Sequence, residues 1–504
     1  MALKKMKKEL PEKLEKTEIA PSTKSKKDKK EGVVEQGKKT SGRTKKVAVA
    51  EEAPVQDKIL DGEAHSGSAA KGASSEGGRP ANAMAAAIDK FLLRTTDIWF
   101  SAFEFIPKAH KWKVQQLTKL HKEIKKVIDN KEVGDLDAPA ITKLLQLDFS
   151  FRRVDKSEVA TVLELGHFLS LFSAFDAFTG DLIEAIYHKK PVLYKNINKT
   201  LTVAEMLKYD HIDDVKTIIL NSEIEGFRRE SYIEQFKILE TKFSINLRKF
   251  NNWPKFVEFS QRRNLLTHCD GIVSDQYIKV CKAEGCSLTP AVKQGDRLKL
   301  SPKYLSEAFL VVIEAGLKLG QTLWRHQFEE ELALADGHLH DVIYNFLVLQ
   351  NIPPAKMAGQ YAVELPKYSS NTMKIIMLIN YLLALKMDGQ DEEVTKIVES
   401  KDWGALCNDF KFAAAVLKDD FDEAANQMKR IGLNGQFVTE EAYHEWPLCY
   451  RFRLSRQFLT TYNEIYGHPF VTELKKASER MGEAAKEDIA KLGDELEVDT
   501  AICG

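Results

Sequence analysis

The stretch Val159-Ala160-Thr161-Val162-Leu163-Glu164-Leu165-Gly166-His167-Phe168-Leu169-Ser170-Leu171-Phe172 decides the fold. Its apolar residues fall on most sides of a 3.6-residue spiral, and a helix of that kind is central rather than superficial. The pattern runs on through Phe175-Asp176-Ala177-Phe178 and Leu182-Ile183 to Tyr187, and Pro191 stops it. Asp176 lies within the apolar face, so its carboxylate needs a partner, structural or functional.

Helical spacing continues outward in both directions. Ile88, Phe91, Leu92, Trp99, Phe103 and then Trp112, Leu117, Leu120, Ile124 and Val127 read as two or three helices ending near Asn130. On the other side, Thr202 and Glu205 form a capping box that opens a short helix. Residues 227–250 read as one long amphipathic helix, broken by Trp253-Pro254, and Pro254 suits the first turn of the next. A polar loop is expected from Ile272 to Gly295, and Ser301-Pro302 starts another long helix. The fold class is therefore all-α. It divides into a Lys-rich tail expected to be disordered (1–80), an N-terminal helical region (81–150), a helical bundle (151–335), a C-terminal domain of shorter helices (336–472) and a charged tail (473–504). In the C-terminal domain Phe410–Leu417 and Phe421–Met428, with small Ala residues between them, are similar to a tetratricopeptide helix pair, although no 34-residue period aligns.

Composition narrows the function classes. Lys+Arg and Asp+Glu both number 74, so net charge argues for no polyanion partner. The first fifty residues are the exception, with 16 basic against 7 acidic residues. No run of 18 apolar residues occurs, so no membrane-spanning helix is expected. Six scattered Cys fit reduced thiols, and the expected location is cytoplasmic. Cys281-x-x-x-x-Cys286 lacks a second pair at zinc-ribbon spacing, and His338-x-His340 lacks a third ligand nearby. Gly32 to Thr40 imitates a phosphate loop but puts Lys39 where a magnesium-binding hydroxyl belongs. No metal or cofactor is expected.

One segment carries chemistry: Gln261-Arg262-Arg263-Asn264-Leu265-Leu266-Thr267-His268-Cys269-Asp270-Gly271. On a helix Asn264 and His268 share a face, and Asp270-Gly271 forms a helix stop with Gly in the left-handed conformation. His268 then sits in the last turn, near solvent. A guanidinium to hold an anion beside an imidazole to move protons is the minimum equipment for chemistry on a phosphodiester. The same spacing also describes a surface arginine followed by a histidine that the helix dipole favours.

Taken together, 155–330 resembles the HEPN superfamily, all-α domains that include many metal-independent RNases of toxin–antitoxin and antiviral systems. Arg263-Asn264-x-x-x-His268, late in the bundle, matches the family pattern of Arg, a polar residue and a following His. Arg262 also falls at an allowed distance from His268 but lacks the polar residue after it. The resemblance implies that Arg263 binds the scissile phosphate, His268 acts as general acid or base, and Asn264 orients one or the other. Asp176 would be the acidic residue that some members carry. It implies attack by the substrate's own 2′-hydroxyl, giving a 2′,3′-cyclic phosphate, and a homodimer through the bundle. The expected function is an RNA endonuclease of a bacterial defence or stress system. The alternative is a non-catalytic dimerising or RNA-binding scaffold, with a protein partner on the C-terminal helices.

Overall fold

The computed structural model describes residues 82–128, 137–288, 292–470 and 482. By contacts the chain divides into two units, Met1–Ser68 and Ala69–Gly504, and every described residue belongs to the second. The expectations for the two tails and the phosphate-loop imitation lie outside the described residues, apart from Gly482.

The described chain is helical, without β-strands. Helix α1 spans Ala83–Ile128, α2 Ala138–Asp155 and α3 Val159–Lys189. They are followed by α4 (Val203–Met206), α5 (Ile212–Arg229), α6 (Tyr232–Phe243), α7 (Trp253–His268), α8 (Asp275–Ala283) and α9 (Pro302–Gln327). The later helices are α10 (Leu332–Val348), α11 (Ile352–Val363), α12 (Asn371–Met387), α13 (Asp391–Glu399), α14 (Asn408–Leu417), α15 (Phe421–Ile431), α16 (Glu440–Glu445) and α17 (Arg456–Tyr466).

Helix α3 is central, as its composition requires. Phe168, Phe172 and Phe175 are wholly buried, and α1, α5, α7 and α9 all pack on it. Phe175 meets Phe91, Phe236 and Phe256 at ring-centroid distances of 6.0, 6.4 and 5.2 Å, so one aromatic cluster joins α1, α3, α6 and α7. Two glycines of α9 let α1 approach closely. A Cβ on Gly316 would lie 2.2 Å from the Phe91 ring, and one on Gly320 2.7 Å from Ile88. Glu331 then gathers Asn82, Lys189 and Trp324, tying the start of α1 to the ends of α3 and α9. A single hydrophobic cluster continues from Met84 to Phe470.

The starts and stops written in the sequence are found where expected. Thr202 and Glu205 make the reciprocal capping box, Ser301 caps α9 with Pro302 after it, and Pro191 follows the end of α3. Three expectations change. Residues 83–128 form one helix containing Pro107 rather than two or three. The expected helix over 227–250 is two elements: α5 ends at Arg229, Ser231 caps α6, and Ser244 (φ 54°) closes it. The physical reason is the serine hydroxyl, which accepts from Glu234 N and offers the backbone a fresh start. The segment after Gly271 contains α8, capped by Ser274. The stretch Ala138–Lys189, which comprises α2 and α3, contains a window apolar enough by length and composition to cross a membrane, 33% of it buried, a property that the core helix of a soluble protein shares.

Candidate active site

Helix α7 carries the motif. Trp253-Pro254 starts it, Phe256 and Val257 anchor it in the core, and His268 is its last residue. The end is closed by two left-handed residues, Asp270 (φ 50°) and Gly271 (φ 75°). Gly271 is needed twice over: its φ disfavours a side chain, and a Cβ would lie 2.7 Å from Leu298 O. Leu298 N donates to Gly271 O (2.9 Å) and Val273 N to Asp296 O (2.8 Å). The helix end that bears His268 is thereby stapled to the segment preceding α9.

Arg263, Asn264 and His268 line one concavity of about 400 Å³, together with Asp176 from α3 and Tyr232 from α6. Arg228 and Arg229, at the end of α5, complete its basic lining. Arg263 is partly exposed and lies 3.8 Å from Asp176 Oδ2, and its Nη1 donates to Asn264 Oδ1 (3.1 Å). The Tyr232 hydroxyl donates to Asp176 Oδ1 at 2.7 Å. Burial raises the Asp176 carboxyl above its ordinary value, against the Tyr232 hydroxyl and the Arg263 and Arg228 charges, which lower it. Burial and the neighbouring Asp176 charge push the Tyr232 phenol well above its usual range. His268 is exposed. The structure thus brings together the four residues singled out in the sequence, Arg263, Asn264, His268 and Asp176, at the surface end of the aromatic core.

Sequence reasoning did not find Arg228, Arg229 or Tyr232. Arg228 lies across α3, with Nε on Asp176 O (2.9 Å) and Nη2 on Ala177 O (3.2 Å). It fits there because residue 180 is glycine: a Cβ would meet Arg228 Nη2 at 1.9 Å. The available signals were a glycine inside a strongly apolar helix and an Arg-Arg pair just before a serine cap.

Arg262 faces the other way from Arg263. Its Nε and Nη2 donate to Glu258 Oε1 at 2.9 and 2.8 Å, and its guanidinium lies 4.0 Å from the Tyr304 ring centroid. Glu258 also accepts from the hydroxyls of Tyr277 (2.6 Å) and Tyr304 (2.7 Å). Arg262, with Glu258, therefore ties α7 to α8 and α9, and it does not line the concavity.

The remaining candidates have structural partners. His338 bridges Gln321 and Asp89 at 2.9 Å each, and His340 meets Asp341. Cys286 Sγ donates to Pro254 O at 3.0 Å. Among the described residues no group of three or more His, Cys, Asp or Glu is arranged to hold a metal ion. No family model, curated protein or solved structure matches the chain.

Chemically, the concavity holds three guanidiniums, of which Arg228 is partly engaged by α3 carbonyls, one exposed imidazole, the Asp176 carboxylate restrained by a phenol, and the Glu230 carboxylate. The Arg263–Asp176 contact is loose enough to leave guanidinium donors for an anion, in the fork geometry that suits phosphate.

Proposed function

We propose that the chain is a HEPN-type, metal-independent RNA endonuclease acting in the cytoplasm. The observation that carries this is the convergence of Arg263, Asn264 and His268 on one concavity with Arg228 and Arg229. In the proposed reaction a base takes the proton of the ribose 2′-hydroxyl, and its oxygen attacks phosphorus. The bond to the 5′-oxygen breaks, and that oxygen leaves with a proton. His268 is the proton carrier of this chain, and Arg263 stabilises the charge that develops on the phosphoryl oxygens. An isologous dimer would bring a second imidazole and double the guanidiniums at one phosphate. A bacterial defence or stress role follows from the family resemblance.

A second reading, a dimerising or partner-binding scaffold, is favoured by exposed apolar residues. Phe103 is 74% and Phe149 69% exposed, on α1 and α2, and such residues mark contact surfaces when they cluster. The packed helix pairs α11/α12 and α14/α15 would serve as tetratricopeptide-like supports for a protein partner. Incubation of mixed RNAs with the purified chain in EDTA separates the readings. Cleavage that vanishes in His268→Ala supports the nuclease. Failure of the wild type to cut any RNA, with RNA-free partner binding, favours the scaffold.

A further inference from the structure

A second concavity, larger than the first, lies between the segment preceding α7, helix α9 and helix α11. It measures about 850 Å³, a size that holds a drug-sized ligand. Glu314 is buried there and accepts from Lys318 Nζ (2.6 Å) and Asn252 Nδ2 (2.7 Å). The Lys318 ammonium stands 5.4 Å from the Phe250 ring centroid and 5.7 Å from that of Tyr361. Glu314 takes one of its three N–H donors, which leaves two. Arg325 also lines the cleft. Its Nη1 binds Asp336 and its Nε binds Gln321, but its Nη2 is buried with no hydrogen-bond partner.

The carboxylates of this lining are already engaged. Besides Glu314, Asp388 pairs with Lys356, Glu329 with Lys367, and Glu364 accepts from the Gln360 amide. Lys249, which is exposed and also lines the cleft, pairs with no carboxylate among the described residues. What remains unsatisfied is cationic N–H beside two aromatic rings.

We infer that this cleft binds a small aromatic acid, with its acid group at Lys318 and its flat body against Phe250 or Tyr361. Met357 and Leu365 supply the apolar wall, and Lys249 adds attraction from its exposed position. Neither this ligand nor its site depends on the nuclease reading.

The test is a fluorescence titration of the full chain with the aromatic sulfonate 8-anilino-1-naphthalenesulfonate and with the uncharged N-phenyl-1-naphthylamine. The expected result is saturable one-to-one binding of the sulfonate and distinctly weaker binding of the neutral dye. Lys249→Glu should weaken the sulfonate by about tenfold, as charge reversal beside an anion does. Lys318→Met, which removes the proposed partner of the acid group, should abolish the preference for the sulfonate while the helical circular dichroism stays unchanged. Equal affinity for both dyes, or a sulfonate preference that survives Lys318→Met, would place the dye outside this cleft and overturn the inference. So would the absence of saturable sulfonate binding.

Discussion

Replacing Arg262 with alanine should destabilise the fold far more than replacing its neighbour. The Arg262 side chain is 14% exposed and its partner Glu258 11%, with two N–H donors on one carboxylate oxygen. Truncation removes both hydrogen bonds and the stacking on Tyr304, and leaves Glu258 buried without its cation. Breaking a buried pair from one side costs about 3–5 kcal/mol. Glu258 keeps the Tyr277 and Tyr304 hydroxyls, which puts the loss near the lower figure, about 3 kcal/mol on that same scale. Arg263, 30% exposed and 3.8 Å from Asp176, should cost under about 1 kcal/mol, as partly exposed pairs do. Urea unfolding followed by circular dichroism compares the two. An Arg262→Ala midpoint close to wild type, or one no lower than that of Arg263→Ala, would refute the assignment of the two arginines to opposite roles.

At the proposed active site, His268→Ala should keep the wild-type melting temperature and lose about 10²–10⁴ of RNA cleavage rate, measured in EDTA. Arg263→Lys, which keeps the charge but not the planar fork, should remain impaired in the same assay. The raised carboxyl of Asp176 sets a pH dependence. The folded state holds this proton to higher pH than the unfolded chain does, so its contribution is full below the ordinary carboxylate range and is lost as pH rises through the folded value. Asp176→Asn lacks that loss, so its melting temperature should gain on wild type as pH climbs from about 3.5 towards neutrality, a range set by the ordinary aspartate value; a constant difference would contradict the burial argument. Gly271→Ala should lower stability by more than about 1 kcal/mol, since it joins a disfavoured φ to a clash with Leu298 O; thermal melting shows this directly.

Local chemistry was enough to set the helical class and many helix ends. A proline favours the first turn of a helix or the stop after one, though α1 runs through Pro107, and a hydroxyl or carboxylate at the N-terminus caps it. Pro191, Pro254, the Thr202–Glu205 box and Ser301 therefore act where they stand. The all-round apolar pattern of 159–187 likewise required a central helix, and it is one. The break at Ser231 was equally local, but the apolar periodicity on either side of it concealed it. The roles of neighbouring side chains were a different matter. Arg262 and Arg263 are adjacent in the chain, and which of them enters the interior depends on Tyr304 and Glu258 on one side and on Asp176, from another helix, on the other. Asp176 finds Tyr232 fifty-six residues away, and Gly180 is explained only by Arg228 lying over it. Such partners meet because helices pack. Periodicity states which face of a helix is buried, but only the tertiary structure decides which polar group waits on the other side.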